Sequence, residues 1–288
     1  MEIERAEELG LCFGVKRAVR LLKEATNEYG KIETLGPVVH NRQLVQELAK
    51  VGIRPVGELG QVQGKILAIT AHGASPVLLS EIKTRCIHII DTTCPIVRKA
   101  QNAVKKLAEG GFDVIIFGEA EHPEIKGLLG WANGKGVAAL DANQLVTCSS
   151  SLRLKRNKLL RLGIISQTTQ NQAAFVQFVA QLIATPHLKV AELHIINTLC
   201  QITQGRQEAA TELARKSQLM LVVGGHDSAN TRHLVEASSH IVETHLVEGA
   251  SEVDSSWLIG KHYVGITAGT STPSEAVEEV IAKLKSSV

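Results

Sequence analysis

Apolar residues recur along the chain in two alternating patterns, one helical and one typical of buried strands. Apolar residues three or four positions apart predict helices over 15–25 and 97–108, and a further helix is predicted around 206–216. A short strand is predicted after each helix, at 32–35, 114–117 and 219–223. The last two strands are apolar throughout, which is typical of parallel strands covered on both faces, so the pattern predicts an α/β fold.

A cysteine precedes each of these helices, and the same spacing follows it. Cys12, Cys94 and Cys200 each stand 24 residues before a glycine and 28 residues before a polar residue. The glycines are Gly36, Gly118 and Gly224, and the polar residues are His40, His122 and Ser228. The shared order of cysteine, helix, strand, glycine and polar loop predicts three pseudo-equivalent units, at 13–95, 96–195 and 196–288, with the N-terminal strand within 1–12 joining the last. Units that face a common centre would bring three thiolates together there.

Each unit supplies a second strand that runs into a small polar loop. These strands are predicted at 67–70, 162–165 and 263–266, and the loops contain His72, Thr168 and Ser271. Ligands collect at the carboxyl ends of the strands in parallel sheets, so we expect these loops to form a binding site.

Length, charge and composition narrow the class of protein. The chain has 288 residues, which suits two or three domains, and its net charge of +2 gives no strong field for nucleic acid or an anionic membrane. Aromatic residues make up 3%, which argues further against a single-strand binder. The first residues are too charged for a signal peptide, and no apolar run reaches the ~18 residues that span a bilayer. We therefore expect a cytoplasmic protein.

The cysteines favour a metal site over disulfides. Five is an odd number in an expected reducing compartment, and the absence of C-x-x-C weighs against a zinc ribbon or a thioredoxin-type pair. Isolated cysteines are most often buried structural residues, but the Gly, Thr and Pro around Cys12 and Cys94 favour ligation. Thiolates select iron–sulfur clusters and zinc, and three of them leave one metal position open. Cys86 and Cys148 lie outside the repeat and are predicted to be structural.

Several polar residues at strand ends could carry chemistry. His40, His72 and His122 lie in such loops, and the H-x-E pattern of His122 and Glu124 resembles that of zinc deaminases, which also need the missing P-C-x-x-C. Thr168, Ser228, Asn230 and Ser271 lie in loops before helices that suit a diphosphate, although each could be an ordinary helix cap. The remaining histidines are predicted to be at the surface: His88, His187, His194, His226, His233, His240, His245 and His262.

The assembled motifs resemble the 4-hydroxy-3-methylbut-2-enyl diphosphate reductase family, also called IspH or LytB. The resemblance covers essentially the whole chain, in the order of the family's motifs. It rests on residues 10–18, 39–41, 91–95, 118–124, 167–169 and 268–273.

The resemblance implies a trefoil of three α/β units with small, mostly parallel sheets around a central [4Fe-4S] cluster that Cys12, Cys94 and Cys200 hold. It implies removal of the substrate hydroxyl with two electrons and protons, which gives isopentenyl and dimethylallyl diphosphate. Glu124 would donate the proton, with Thr168 and His122 beside it in catalysis. The substrate would be bound by His40, His72, His122, Thr168, Ser228, Ala229, Asn230 and Ser271.

The resemblance also implies an electron donor such as ferredoxin or flavodoxin, and we expect a monomer. Three positions depart from the family's usual residues: Thr70, Ile202 and Ala229, the last of which can contribute only backbone. The sequence is also consistent with three other hypotheses: a quinolinate-synthase-like dehydratase, an iron–sulfur sensor or carrier, and a zinc protein with three cysteine ligands. The sensor leaves the polar residues at the strand ends unexplained.

Overall fold

The computed structural model describes residues 1–85, 87–147, 159–185 and 188–287. Cys86, Cys148 and His187 lie outside the described residues. The chain divides into two compact units. The first compact unit comprises Met1–Val56 and Gln201–Val288, and the second comprises Gly57–Cys200.

The first compact unit is built of short strands and longer helices. Its strands are β1 (Glu2–Arg5), β2 (Ile32–Leu35), β3 (Ile53–Val56), β10 (Leu219–Val223), β11 (Thr244–Val247) and β12 (Tyr263–Ala268). Its helices are α1 (Phe13–Tyr29), α2 (Arg42–Lys50), α8 (Gln201–Lys216), α9 (Ala229–Ser239) and α10 (Ser274–Ser286). Strands β2 and β3 pair in parallel, and a second sheet has the order β1-β12-β10-β11 with every pair parallel.

Helices cover both faces of the β1-β12-β10-β11 sheet, which explains why β10 is apolar throughout. Leu219 and Leu221 of β10 pack with residues of α10. Val222, the next residue of the strand, packs on the other face with residues of α8 and α9. Successive strand residues point to opposite faces, so a strand buried on both faces needs apolar side chains at every position.

The second compact unit repeats this design. Its strands are β4 (Ile66–Ile69), β5 (His88–Asp91), β6 (Asp113–Phe117), β7 (Gly136–Ala139), β8 (Leu160–Ser166) and β9 (Val190–Ile195). Its helices are α3 (Pro76–Thr84), α4 (Pro95–Glu109), α5 (Pro123–Trp131), α6 (Ala142–Thr147) and α7 (Gln172–Ile183). Strands β4 and β5 pair in parallel, and the other sheet has the parallel order β7-β6-β8-β9. Along β6, Phe117 packs on α7 while Ile116 packs on α4 and α5.

The predicted α/β class and the threefold repetition of a similar unit with small parallel sheets are confirmed. The order of cysteine, helix and strand recurs as Cys12 with α1 and β2, Cys94 with α4 and β6, and Cys200 with α8 and β10. Helix α8 begins earlier than predicted, because the polar first turn and Gly205 hide its helical pattern. The three unit boundaries given above stay a prediction.

Backbone geometry explains the glycines that stand 24 residues after each cysteine. Gly36 has a φ of +78°, which favours glycine, and it lies directly after β2. A Cβ at Gly118 would lie 2.8 Å from side-chain atoms of Gln167 and Ile125. A Cβ at Gly224 would lie 2.7 Å from the hydroxyl of Thr231. Among the described residues, no helix is long and apolar enough to cross a membrane.

Candidate functional site

All three repeat cysteines lie at the beginning of a helix. Cys12 and Cys94 are the N-cap residues of α1 and α4, and Cys200 directly precedes α8. The Cys12 Sγ accepts a hydrogen bond from the Val15 backbone N–H at 3.5 Å. Each cysteine is half-buried, and none is in a disulfide within the described part of the chain. A helix N-terminus carries partial positive charge, which complements an anionic sulfur ligand.

The three cysteines are attached to the fold in the same way. The backbone N–H of each donates a hydrogen bond to a carbonyl in the loop that follows the neighbouring strand. The pairs are Cys12 with Thr270 at 2.9 Å, Cys94 with Ala71 at 3.0 Å, and Cys200 with Thr168 at 2.8 Å. The threefold repeat seen in sequence spacing is therefore also a repeat of backbone hydrogen bonds.

The residues 28 positions after the cysteines lie at the N-termini of other helices. His122 is the N-cap of α5, and its Nδ1 accepts a hydrogen bond from the Glu124 N–H at 3.2 Å. Ser228 is the N-cap of α9, where its hydroxyl accepts from the Thr231 N–H at 3.3 Å. His40 stands one residue before the N-cap of α2. The capping role considered for Ser228 is thus present, and it leaves the hydroxyl hydrogen available for a ligand.

Glu124 is a buried carboxyl group that is hydrogen-bonded to Thr168. Glu124 is 2% exposed, and its two carboxyl oxygens accept hydrogen bonds from the Thr168 backbone N–H and hydroxyl, each at 2.8 Å. Burial raises the pKa of Glu124 to about 7, although both Thr168 hydrogen bonds oppose the shift. A carboxyl group with this pKa can hold and release a proton at neutral pH, as a general acid must.

Two histidines lie near this pair in the second compact unit. The rings of His72 and His122 meet edge to face, with centroids 5.5 Å apart, and both residues are half-buried. The Thr70 hydroxyl lies 3.3 Å from the His72 Nδ1. Thr70, one of the positions that depart from the family's usual residues, therefore still places a hydroxyl beside His72. His122, which accepts a hydrogen bond from the Glu124 backbone N–H, places these rings beside the first turn of α5.

Polar groups in the first turn of α9 and after β12 are buried with no hydrogen-bond partner in the described part of the chain. Asn230 is 3% exposed, and neither side-chain atom has a hydrogen-bond partner among the described residues. The Ser271 hydroxyl, in a residue 6% exposed, also lacks a partner there. A buried polar group without a partner costs roughly 1–3 kcal/mol, which favours a polar ligand at these positions. Ala229 is buried between Ser228 and Asn230 and offers only its backbone.

His40 lies against the loop that follows β10 in the first compact unit. A Cβ at Gly225 would lie 2.0 Å from the His40 carbonyl oxygen, so the two backbones approach as closely as glycine allows. Burial lowers the pKa of His40; the Asp227 carboxylate opposes this shift and the Arg232 guanidinium adds to it. An anion bound near the ring would raise this pKa and favour the charged imidazolium.

Arg206 and Gln101 are among the buried polar residues that were not predicted from the sequence. Arg206 is 3% exposed, and its guanidinium donates to the carbonyls of Gly10 at 2.8 Å and Ala268 at 3.4 Å. Gln101 is 1% exposed, and neither amide atom has a partner within the described ranges. The signal for both is their position: each falls on the helix face that the periodic pattern assigns to the core.

Five of the seven described histidines that were predicted at the surface are exposed, and two are half-buried. His88, His194, His226, His240 and His262 are exposed, and His233 and His245 are half-buried.

Comparisons with known proteins agree in fold and sequence. The family model described as LytB protein matches residues 3–285. A protein of Dehalococcoides mccartyi (strain CBDB1) is 43% identical over 284 residues, which cover 99% of this chain and 98% of that protein. A protein of Geobacter metallireducens is 37% identical over 286 residues, which cover 99% and 97%. Both relatives are named 4-hydroxy-3-methylbut-2-enyl diphosphate reductase.

Two solved structures are similar across the chain. One is described as (E)-4-hydroxy-3-methyl-but-2-enyl diphosphate reductase, the terminal enzyme of the non-mevalonate pathway. Its sequence is 36% identical, the TM-score is 0.69, and the match covers 99% of this chain and 100% of that one. The other is the E-1-hydroxy-2-methyl-but-2-enyl-4-diphosphate reductase from Plasmodium falciparum; it is 26% identical, with a TM-score of 0.88, and the match covers 97% and 86%.

Proposed function

Because this chain belongs to the LytB protein family, we propose that it is a 4-hydroxy-3-methylbut-2-enyl diphosphate reductase. The reaction replaces the C–O bond of an allylic alcohol by a C–H bond. It consumes two electrons and two protons, releases water, and yields isopentenyl and dimethylallyl diphosphate. The observation in the chain itself that best supports this reaction is the buried Glu124, with a pKa of about 7, bound to Thr168. The dehydratase and the sensor are not favoured, because the relatives are named as reductases.

Cys12, Cys94 and Cys200 are proposed to hold a [4Fe-4S] cluster with one iron open. The donor set fits such a group: three half-buried thiols, each at a helix N-terminus and each attached to the fold by the same backbone hydrogen bond. When bound, the cluster would supply electrons and a Lewis-acidic iron to the substrate hydroxyl.

Glu124 would supply the proton that converts the departing hydroxyl to water. Its pKa of about 7 means that near neutral pH much of the carboxyl group is protonated before the reaction. After donation, the two Thr168 hydrogen bonds stabilise the carboxylate that forms. Thr168 can thus orient the carboxyl group in both protonation states, and His122, at the N-cap of the same helix, would contribute to the same step.

Ser228, Asn230 and Ser271 would bind the diphosphate. Their buried polar atoms, including the unpartnered atoms of Asn230 and Ser271, suit phosphate oxygens, and the N-terminus of α9 adds partial positive charge. Ala229 would contribute its backbone. His40 and His72 would complete the substrate contacts, with the charged form of His40 favoured by the bound anion.

A direct test is the substitution Glu124→Gln. It keeps the shape of the side chain but removes the transferable proton, so we expect turnover to fall at least about a hundredfold. The anaerobic protein should keep its iron and sulfide content and its visible absorbance. The measurement is steady-state reduction of the hydroxymethylbutenyl diphosphate with reduced methyl viologen as donor.

Glu121→Gln is the matched control, because Glu121 is exposed and pairs only with Lys126, at 2.8 Å, in the structure described. That variant should retain wild-type turnover. Full activity of Glu124→Gln would remove the proposed role of this residue.

A further inference from the structure

We propose that the solvent face of α1 next to Cys12 docks a small acidic one-electron carrier protein. The α1 basic face consists of Phe13, Lys16, Arg17 and Arg20. The inference rests on the proposed function, because that reaction needs electrons that the chain cannot generate. The sequence has neither G-x-G-x-x-G nor a Walker A motif, so it gives no indication of a nucleotide cofactor as the electron source.

The four residues share one side of the helix. Positions 13, 16, 17 and 20 are three, four and seven residues apart, and residues with this spacing lie on one helix face. Phe13 is 60% exposed, whereas the other four phenylalanines of the chain are at most 5% exposed. An exposed aromatic ring among cations is typical of a protein-binding surface.

The face is strongly basic, although the whole chain is nearly neutral. Residues 13–23 contain four basic residues and no acidic residue, against a net charge of +2 for 288 residues. Arg20 forms an ion pair with Glu24 at 3.2 Å, but both side chains are more than half exposed, so water screens the pair. The positive field therefore lies beside Cys12, the N-cap of the same helix.

The helices after the other two cysteines lack this combination. Helix α4 begins with the half-buried Pro95 and contains no aromatic residue; its Arg98 is paired with Asp91, and Lys99 is the one exposed cation of its first two turns. Helix α8 begins with the neutral Gln201, and its first cation, Arg206, is buried. Of the three equivalent helices, α1 alone presents an exposed ring with two exposed cations, Lys16 and Arg20, beside the half-buried Arg17 in its first two turns.

Electron delivery explains why such a face is useful. In each docking event the carrier is oxidised by one electron, and two events supply the two electrons that the reaction consumes with two protons. Transfer weakens steeply with distance, so the carrier must dock close to the cysteine ligands. Complementary charge raises the association rate of a transient complex without making it tight, as repeated exchange requires.

The test uses the double variant Lys16→Glu/Arg20→Glu with two electron donors. With a reduced plant-type [2Fe–2S] ferredoxin, a small acidic protein, we expect kcat/KM for the carrier to fall at least about tenfold at low salt. The dependence on ionic strength seen in the wild type should largely disappear. Binding of oxidised ferredoxin, measured by calorimetry, should weaken in parallel, and it requires no turnover.

Reduced methyl viologen separates docking from chemistry. Methyl viologen is a small cation that a basic surface does not attract, so reversing the charge of Lys16 and Arg20 removes no attraction for this donor. Turnover with methyl viologen should therefore be unchanged. Lys283→Glu/Lys285→Glu, in exposed positions of α10, makes the same change in net charge and should leave both donors unaffected.

Unchanged ferredoxin binding and kinetics in Lys16→Glu/Arg20→Glu would overturn the proposal. A changed sedimentation coefficient with unchanged ferredoxin kinetics would assign the face to a second copy of the chain and would also overturn it. Failure of the wild type to turn over with methyl viologen would instead contradict the proposed function, while the calorimetric comparison would still decide the docking face.

Discussion

At the scale of single residues, the chemistry depends on the opposing effects that set the pKa of Glu124. Burial removes water from the carboxylate and favours the neutral acid, whereas the two Thr168 hydrogen bonds favour the charged form. Burial is the larger effect, and the balance leaves the pKa at about 7. Either effect alone would give a poorer proton donor at neutral pH. The hydrogen bonds alone would lower the pKa and leave the carboxyl group ionised, whereas burial alone would raise the pKa further and make the proton harder to release.

This balance predicts a pH profile for substrate reduction. The donor is active when protonated, so kcat/KM with reduced methyl viologen should fall as pH rises through about 7. Thr168→Val removes one hydrogen bond to the carboxylate, which raises the pKa of Glu124 and should move this basic limb upward by about one pH unit.

Thr168→Ser keeps the hydroxyl and should leave the basic limb close to its wild-type position. A limb that stays in place in Thr168→Val, or that moves to lower pH, would contradict the assignment of the titrating group to Glu124.

At the scale of elements, the sequence predicted more about strands than about loops. The strands 32–35 and 219–223 were predicted with the bounds that the structure has, because a glycine directly follows each strand. The early start of α8 was not predicted, because propensity in a polar first turn is weak and the helix is stabilised by buried contacts such as those of Arg206.

Loop contacts depend on residues far apart in sequence, which periodicity cannot reveal. The approach of Gly225 to the His40 carbonyl is one such contact. Gly225→Ala would place a Cβ 2.0 Å from that oxygen and force the two loops apart. We expect a loss of about 1–3 kcal/mol in stability and a thermal midpoint lower by several degrees, measured on the anaerobic protein.

Gly205→Ala in α8 is the matched control. No atom lies within 4 Å of its added Cβ, and alanine is favoured over glycine inside a helix by roughly 0.5–1 kcal/mol. The control should therefore be neutral or stabilising. Equal midpoints for Gly225→Ala and wild type would mean that the loops after β2 and β10 are not held at this distance.

At the scale of the whole molecule, spacing alone revealed the repeat because three α/β units of similar length keep their cysteines at equivalent positions. The repeated hydrogen bond from each cysteine N–H to the loop after the neighbouring strand attaches the three cysteines to the fold at equivalent positions. The candidate site residues could be selected from the sequence because they follow strands or lie near the N-termini of helices, and their roles stay a prediction. Their energetics could not be predicted, since the burial of Glu124, Asn230 and Ser271 arises only when distant segments pack.

The division into two compact units also lay beyond the sequence pattern. A repeated sequence pattern indicates which elements recur along the chain. The division into compact units depends instead on which residues pack together, and the pattern does not contain this information. The first compact unit includes both ends of the chain because β1 pairs with β12.

The most direct measurement of the central claim is product analysis with the anaerobically purified protein. The protein is incubated with 4-hydroxy-3-methylbut-2-enyl diphosphate and reduced methyl viologen, and the products are separated and quantified. We predict isopentenyl and dimethylallyl diphosphate, with two electrons consumed for each substrate molecule. Unchanged substrate in a preparation that contains iron and sulfide in cluster stoichiometry would contradict the proposed reductase activity.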